Sequence, residues 1–384
     1  MPERVYLDWN ATTPLRPEAR QAMAAAWEIA GNPSSVHAEG RRARRLVEDA
    51  RAAVAAAVGV RAPDVVFTSG GTEANALALT PGLRRGAGEP VRRLLVSAIE
   101  HPSVLSGGRF SPEAIEIIPV TGSGVVDLDQ LRRRLAGGSP ALVSVMLANN
   151  ETGALQPVGE VADAVHEAGG LLHVDAIQAL GKIPCYIKVI KADLVTLSAH
   201  KIGGPKGIGA LVLAEDVQGM EPLLRGGGQE LGRRAGTENV PGISAFGAAV
   251  RAAMTAFGGD ATWMRGLREQ LEAGLKQTPG LIIFSADVLR LPNTTLFTVP
   301  GLKAETAVIG FDLDGISVSS GSACSSGKVQ PSHVLAAMGV GPELAQGAVR
   351  LSLGWSTSRE EIDLAVQAWR KLADALLRGR RNTA

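Results

Sequence analysis

Between residues 65 and 214, short apolar runs alternate with helical patterns, and no other property narrows the possible folds of this chain as much. The runs are VVFTS (65–69), RLLVSA (93–98), AIEIIPV (114–120), ALVSVMLA (141–148), GLLHVDA (170–176), ADLVTLS (192–198) and GALVLA (209–214). Most are apolar on both faces, as in parallel strands covered by helices. Alternation at this spacing reads as an open α/β sheet. Helical stretches rich in Ala, Arg and Glu precede it at 16–30 and 36–58. The pattern changes near Gly258–Gly259. Beyond that pair come an amphipathic helix (261–276), the strand-like LIIF and TTLFTV, then VRLSLG and a terminal helix (359–378). The expected organisation is a large α/β domain over 14–257 and a smaller α+β domain formed by 1–13 and 258–384.

A chain of 384 residues that is 45% apolar can bury two such cores, so disorder is not expected. The net charge of +1 gives no reason to expect nucleic acid or a membrane as partner. The arginine clusters at 41–45 and 132–134 read as solvated helix faces. The two cysteines, Cys185 and Cys324, argue against a disulfide framework and cannot build a four-cysteine metal site. The N-terminus is charged, and no uninterrupted apolar run reaches the ~18 residues of a membrane span. The expected location is the cytoplasm.

In open α/β sheets, ligands bind beyond the carboxyl ends of the strands. Five runs end there in chemistry-bearing residues: Ser69 to Thr72, Glu100 and His101, Asn149 to Glu151, Asp175 with Gln178, and Ser198 to Lys201. Gly70 and Gly71 let backbone N–H groups approach an anion at a helix start, and Thr72 adds a hydroxyl donor. The same residues would also serve as a plain glycine turn with Thr72 as N-cap. Lys201, directly after an apolar strand, is a partly desolvated amine suited to Schiff-base chemistry. Lys206, in GGPKG, is a competing amine in a turn. Asp175 could keep a heteroaromatic nitrogen protonated, or could simply cap a helix. His101 could stack on a ring and move protons near neutral pH.

Motifs along nearly the whole chain now point to a family. They include YLDWNATTPL, TSGGTEAN, EHPSV, NNETGALQP, HVDAIQALGKIP, LSAHKIGGPKGIGAL, GGGQELGRRAGTENV, SSGSACSSGKVQPSHVLAAMG and VRLSLGWST. The chain resembles the NifS/IscS-type cysteine desulfurases, within the class V aminotransferase group of fold-type I pyridoxal-phosphate enzymes. The resemblance implies an α/β large domain with a mostly parallel seven-stranded sheet. It implies that Lys201 carries pyridoxal 5'-phosphate, that Asp175 pairs with the pyridine nitrogen and that Gln178 contacts the ring hydroxyl. His101 would stack on the ring and help in proton transfer. Gly71, Thr72, Ser198 and His200 would hold the phosphate. Thr237 would reach the phosphate of a second subunit, which implies a homodimer. Asn150 would lie beside cofactor and substrate, and Arg350 would clamp the substrate carboxylate. Trp9, Leu231 and Ala235 depart from residues frequent in the family, without removing a group the chemistry needs.

Cys324 lies in SVSSGSACSSGKVQ, a segment of small polar residues with little to bury. The resemblance makes it the thiolate that takes sulfur from L-cysteine, leaving L-alanine and a Cys324 persulfide. An iron–sulfur scaffold or a sulfur-carrier protein would then be the acceptor. On this reading a Cys324 persulfide could share a transient [2Fe–2S] cluster with the scaffold. Cys185, in an apolar neighbourhood, reads as a core thiol. The competing expectations are an aminotransferase or selenocysteine lyase of the same fold, and a catalytically silent subunit that binds a scaffold.

Overall fold

The computed structural model describes residues 4–321 and 332–381, with side chains up to 375. Cys324 therefore lies outside the described residues. All seven apolar runs form strands of one sheet. Its order is Val65–Thr68, Gly209–Leu213, Leu194–Ser198, Leu171–Asp175, Ala141–Met146, Arg93–Ser97, Ile115–Ile118. Every pairing from Leu194–Ser198 to Ile115–Ile118 is parallel. Gly209–Leu213 is antiparallel to both of its neighbours. The segment from Ser198 to Gly209 contains no crossover helix, and a short return without one can only reverse the strand.

Alternate residues of each strand feed two cores, as the two-residue period of a strand requires. Val143, Val145, Leu172, Val174, Val195 and Leu197 point into one core with the helices Ala38–Val58 and Val240–Leu275. Leu94, Val96, Leu142, Leu171, Leu194 and Leu211 point into the other, with Ala74, Leu77 and Ala78 of the helix Gly71–Ala78. Cover on both faces is what lets these strands be apolar throughout.

A second sheet has the order Ile282–Ile283, Thr294–Thr298, Val349–Ser352, Ser319–Ser320, all antiparallel. Its core gathers Phe297, Phe311 and Trp369, with Phe297 edge-on to Trp369 at 4.8 Å between ring centres. The N-terminal Val5–Tyr6 pairs in parallel with Ile316–Ser317 beside this core.

The change of pattern at Gly258–Gly259 is not a break in the backbone. One helix runs from Val240 to Leu275, so the helix expected at 261–276 is its second half. Its first half packs Ile243, Phe246 and Val250 into the large core, and its second half packs Leu267, Leu271 and Leu275 into the small one. Two exposed interior glycines cost about 1 kcal/mol each but keep their N–H groups, so anchorage at both ends carries the helix through them. The helix is long and apolar enough to cross a membrane by composition, yet 61% of that window is buried within the protein.

Trp9 has a local explanation. Its indole packs edge-on against Trp355 at 4.7 Å and donates to the Tyr6 carbonyl at 2.8 Å. Any side chain at Gly354 would collide with the Trp9 ring. The indole thus fills a space that the glycine leaves open.

Candidate active site

The carboxyl ends of the central strands converge on one cleft. Gly71, Thr72, His101, Asn150, Asp175, Gln178, Ser198, His200, Lys201 and Arg350 all line it, drawn from widely separated stretches of chain. Thr237 does not. It is exposed on a different pocket, beside Thr68, Ser69 and Glu238, so a single chain does not bring it to Lys201.

At one end, the strand Val65–Thr68 turns into the helix Gly71–Ala78. Glu73 in the first turn accepts from the Ser69 N–H at 2.8 Å, and Arg234 donates to it at 2.9 Å. These bonds fix the turn and leave the helix start facing the cleft. A methyl group at Gly71 would press on Cδ1 of Ile177, which also lines the cleft. Gly71 therefore keeps the floor of the cradle open. Ser198 and His200 approach the same region from the end of Leu194–Ser198. Burial, then the positive charges of Lys201, Lys206 and Lys182, push the His200 imidazole down to about 4. It is thus neutral at physiological pH, and its ring nitrogen lies 3.1 Å from the Thr12 hydroxyl.

Asp175 ends the strand Leu171–Asp175 and is 5% exposed. Burial raises its pKa, while bonds from the Ile177 N–H (2.9 Å) and Asn75 Nδ2 (3.0 Å) oppose the rise. Asn75 belongs to a buried polar chain crossing the sheet. Its Oδ1 accepts from the Thr196 hydroxyl at 2.6 Å. That hydroxyl lies 3.2 Å from Nε2 of His173, whose Nδ1 lies 2.7 Å from the Ser144 hydroxyl. The single hydroxyl proton of Thr196 goes to Asn75, so His173 Nε2 must be the donor to Thr196. Full burial lowers the pKa of His173 to about 3, which agrees with this neutral form. The chain holds one oxygen of Asp175 in place.

His101 caps the short helix Pro102–Leu105. Its Nδ1 accepts from the Ser103 N–H at 3.1 Å and lies 2.7 Å from the Ser103 hydroxyl. An Nδ1 that accepts from an amide carries no proton, so the neutral ring has its proton on Nε2. Burial lowers its pKa; Asp175 opposes the fall, and Lys201 adds to it.

Lys201 Nζ donates to the backbone carbonyls of Asn10 at 2.6 Å and Ala11 at 2.8 Å. Gln178 Nε2 donates to the same Asn10 carbonyl at 2.8 Å. Arg350 is 1% exposed and is held through the Asn150 carbonyl (2.9 Å) and the Asp8 carboxylate (2.7 Å). Its Nε is buried without a partner among the described residues. Lys206 is exposed in its turn, away from the cleft. Burial pushes the Cys185 thiol up to about 12, as a core thiol requires.

Other polar strand-end residues serve the frame. Glu100 is fully buried, accepting from the Ser97 hydroxyl and the Met146 N–H. Asn149 accepts from the N–H groups of Glu151 and Thr152 at 2.9 Å each, shaping the turn that presents Asn150. Sequence reasoning assigned no role to Asn10, Ala11 or Asn75. The first two act through backbone carbonyls, which leave no trace in side-chain type. Asn75 stands four residues after Gly71, on the same helix face, and that spacing was an available signal. Among the described residues no cluster of His, Cys, Asp and Glu could hold a metal ion. The sequence-based metal assignment, at Cys324, lies outside them.

Chemically, the cleft offers an anion cradle, an amine, a buried carboxylate, a neutral imidazole and a guanidinium. This set suits a flat heteroaromatic aldehyde bearing an anionic group, together with a carboxylate-bearing substrate.

Comparison with known proteins agrees. Residues 5–365 match the family model for class-V aminotransferases. A cysteine desulfurase of Cereibacter sphaeroides is 45% identical over 97% of both chains. The cysteine desulfurase IscS of Dictyoglomus turgidum is 37% identical over 98% of this chain and 96% of its own. The crystal structure of a NifS-like protein from Rickettsia africae superposes with a TM-score of 0.88 at 38% identity, covering 97% of this chain and all of that one.

Proposed function

Since this chain belongs to the class-V aminotransferase family, among its cysteine desulfurases of the NifS and IscS type, we propose that it removes sulfur from L-cysteine with pyridoxal phosphate as cofactor. The observation that carries the proposal is the convergence of Lys201, Asp175, His101, the Gly71–Thr72 cradle and Arg350 on one cleft. The donor set fits the cofactor. Gly71 and Thr72, with Ser198 and His200, would hold its phosphate. Asp175 would accept from its ring nitrogen, and Gln178 would donate to its ring oxygen. Lys201 would carry it as a Schiff base. When bound, pyridoxal phosphate supplies a pyridinium that draws electrons from the α-carbon of an attached amino acid.

The rest falls to the chain's own groups. Arg350 binds the substrate carboxylate, and its prior anchorage by Asp8 and the Asn150 carbonyl means little side-chain freedom is lost on binding. Lys201 must leave the Asn10 and Ala11 carbonyls to act as an amine and to take the α-proton. His101, neutral and with its proton on Nε2, can donate that N–H as a hydrogen bond to a ligand in the cleft. The sulfur step is assigned to Cys324 from the family resemblance. Its thiolate attacks the substrate sulfur, the carbon–sulfur bond breaks, and the products are L-alanine and a Cys324 persulfide. We assign the onward acceptor to the class of iron–sulfur scaffolds and sulfur carriers. We also assign a homodimer, in which Thr237 completes the partner's phosphate site. Its exposure outside the cleft of its own chain supports that assignment.

Incubation with L-cysteine followed by peptide mass spectrometry tests the proposal. The peptide containing Cys324 should gain one sulfur, ~32 Da, while alanine accumulates. Cys324→Ser should abolish both and keep the yellow colour of the bound cofactor. Release of sulfur at the wild-type rate by Cys324→Ser would overturn the assignment of the nucleophile.

A further inference from the structure

Lys182 is a buried amine for which the proposed reaction has no use. It is 7% exposed and, among the described residues, has one hydrogen bond, to Oε1 of Gln178 at 2.9 Å. The charges acting on it, from Lys201 and Arg350, are both positive. With burial as the larger cause, they bring its pKa down to about 7. A lysine placed at this cost must do something that an apolar side chain could not.

Its neighbours suggest what that is. Lys182 lies four residues beyond Gln178, in the turn that follows the strand Leu171–Asp175. From Lys182 the bonds run to Gln178 Oε1, from Gln178 Nε2 to the Asn10 carbonyl at 2.8 Å, and from Lys201 Nζ to that same carbonyl at 2.6 Å. The polarity of this chain is fixed by chemistry. Lys182 Nζ has an N–H to donate whether it is an ammonium or an amine, and the Asn10 carbonyl can only accept, so the amide between them satisfies both in one orientation. Its oxygen faces Lys182, and its NH2 group faces Asn10 and the cleft. One N–H is used on Asn10, and the other remains for a ligand.

We infer that Lys182 is a positioning residue: by occupying the oxygen of Gln178 it makes that side chain an obligate hydrogen-bond donor to the cofactor site. The inference rests on the proposed function, since the ligand is pyridoxal phosphate. Without Lys182 the Asn10 carbonyl alone would orient the amide, its oxygen would be left buried without a donor, and rotation toward the electron-rich ring oxygen of the cofactor, a repulsive contact, would be opposed by one bond instead of two. Lys182 thus acts wholly through Gln178, and this separates it from a residue that merely packs.

A double-mutant cycle on the full-length protein tests this, with two readouts that need no turnover. One is the dissociation constant of pyridoxal phosphate by equilibrium dialysis. The other is the absorption spectrum of the bound cofactor. Lys182→Met fills the space without donating, and Lys182→Leu serves if the methionine variant does not fold. Either should weaken cofactor binding about tenfold, the worth of one hydrogen bond made to a charged group, and shift the absorption maximum. Gln178→Ala should weaken binding similarly. In the Gln178→Ala background, Lys182→Met should have no further effect on either readout. If Lys182→Met binds within twofold of wild type, or if the two losses multiply in the double variant, the inference fails while the proposed function stands. A wild-type chain that takes up no pyridoxal phosphate overturns both.

Discussion

Replacing Asp8 by asparagine removes the one carboxylate that forms an ion pair with the Arg350 guanidinium among the described residues. The geometry sets the scale of the loss. Arg350 is 1% exposed, its NH2 nitrogen lies 2.7 Å from Asp8, and its Nε has no partner among the described residues. Breaking a buried pair from one side costs about 3–5 kcal/mol, because the surviving charge is stranded. The Asp8 side chain is 21% exposed, so water can replace part of what is lost. An expected destabilisation of about 2–3 kcal/mol follows. Urea unfolding of the cofactor-free protein at pH 7 measures it, read as a midpoint shift at constant slope. The cycle with Arg350→Met is the sharper test. Removing both members of the pair leaves no stranded guanidinium, so the double variant should be more stable than Asp8→Asn alone. A single-variant loss below about 0.5 kcal/mol, or a double variant in which the two losses add, would refute the claim that Asp8 holds a buried charge.

Other outcomes follow from the same structure. Asn75→Ala should strand one oxygen of Asp175 and raise its pKa further, weakening pyridoxal-phosphate affinity about tenfold by fluorescence titration. Burial raises the pKa of Glu100 from 4.5 to about 8, so its protonated form favours the folded state. That contribution is full below pH 4.5 and is lost as pH rises to about 8. Glu100→Gln should therefore gain on wild type in urea unfolding by up to about 1.4 kcal/mol per pH unit across that window. Iodoacetamide should leave Cys185 unmodified in the native protein, because its thiol is buried and its pKa is about 12. Cys185→Ala should retain sulfur transfer, scored by alanine release.

Much of this was legible in the chain because burial and chemistry mark it in different ways. Strands such as Leu171–Asp175 and Leu194–Ser198 are covered on both faces, so each reads as an apolar run. Their carboxyl ends face the cleft, so reactive residue types gather there. Direction was harder to read. Gly209–Leu213 looks like its parallel neighbours in composition, and only its short connection betrays the reversal. The glycine pair at 258–259 suggested a boundary, but anchorage in two cores outweighs local propensity. His173 reads as one polar residue within a strand, and the relay it makes through Thr196 to Asn75 depends on register between strands. The carbonyls of Asn10 and Ala11 act on Lys201 from nearly 200 residues away, which no local pattern can encode.

The most direct test of the account is which amine carries the cofactor. Three lysines lie in or near the catalytic segment: Lys201 in the cleft, Lys182 buried behind it and Lys206 exposed in its turn. Borohydride reduction after pyridoxal-phosphate uptake, followed by peptide mapping, identifies the modified side chain. The phosphopyridoxyl group should be found on Lys201 alone, and Lys201→Ala should remain colourless. Label on Lys182 or Lys206, or a fully yellow Lys201→Ala protein, would contradict the account.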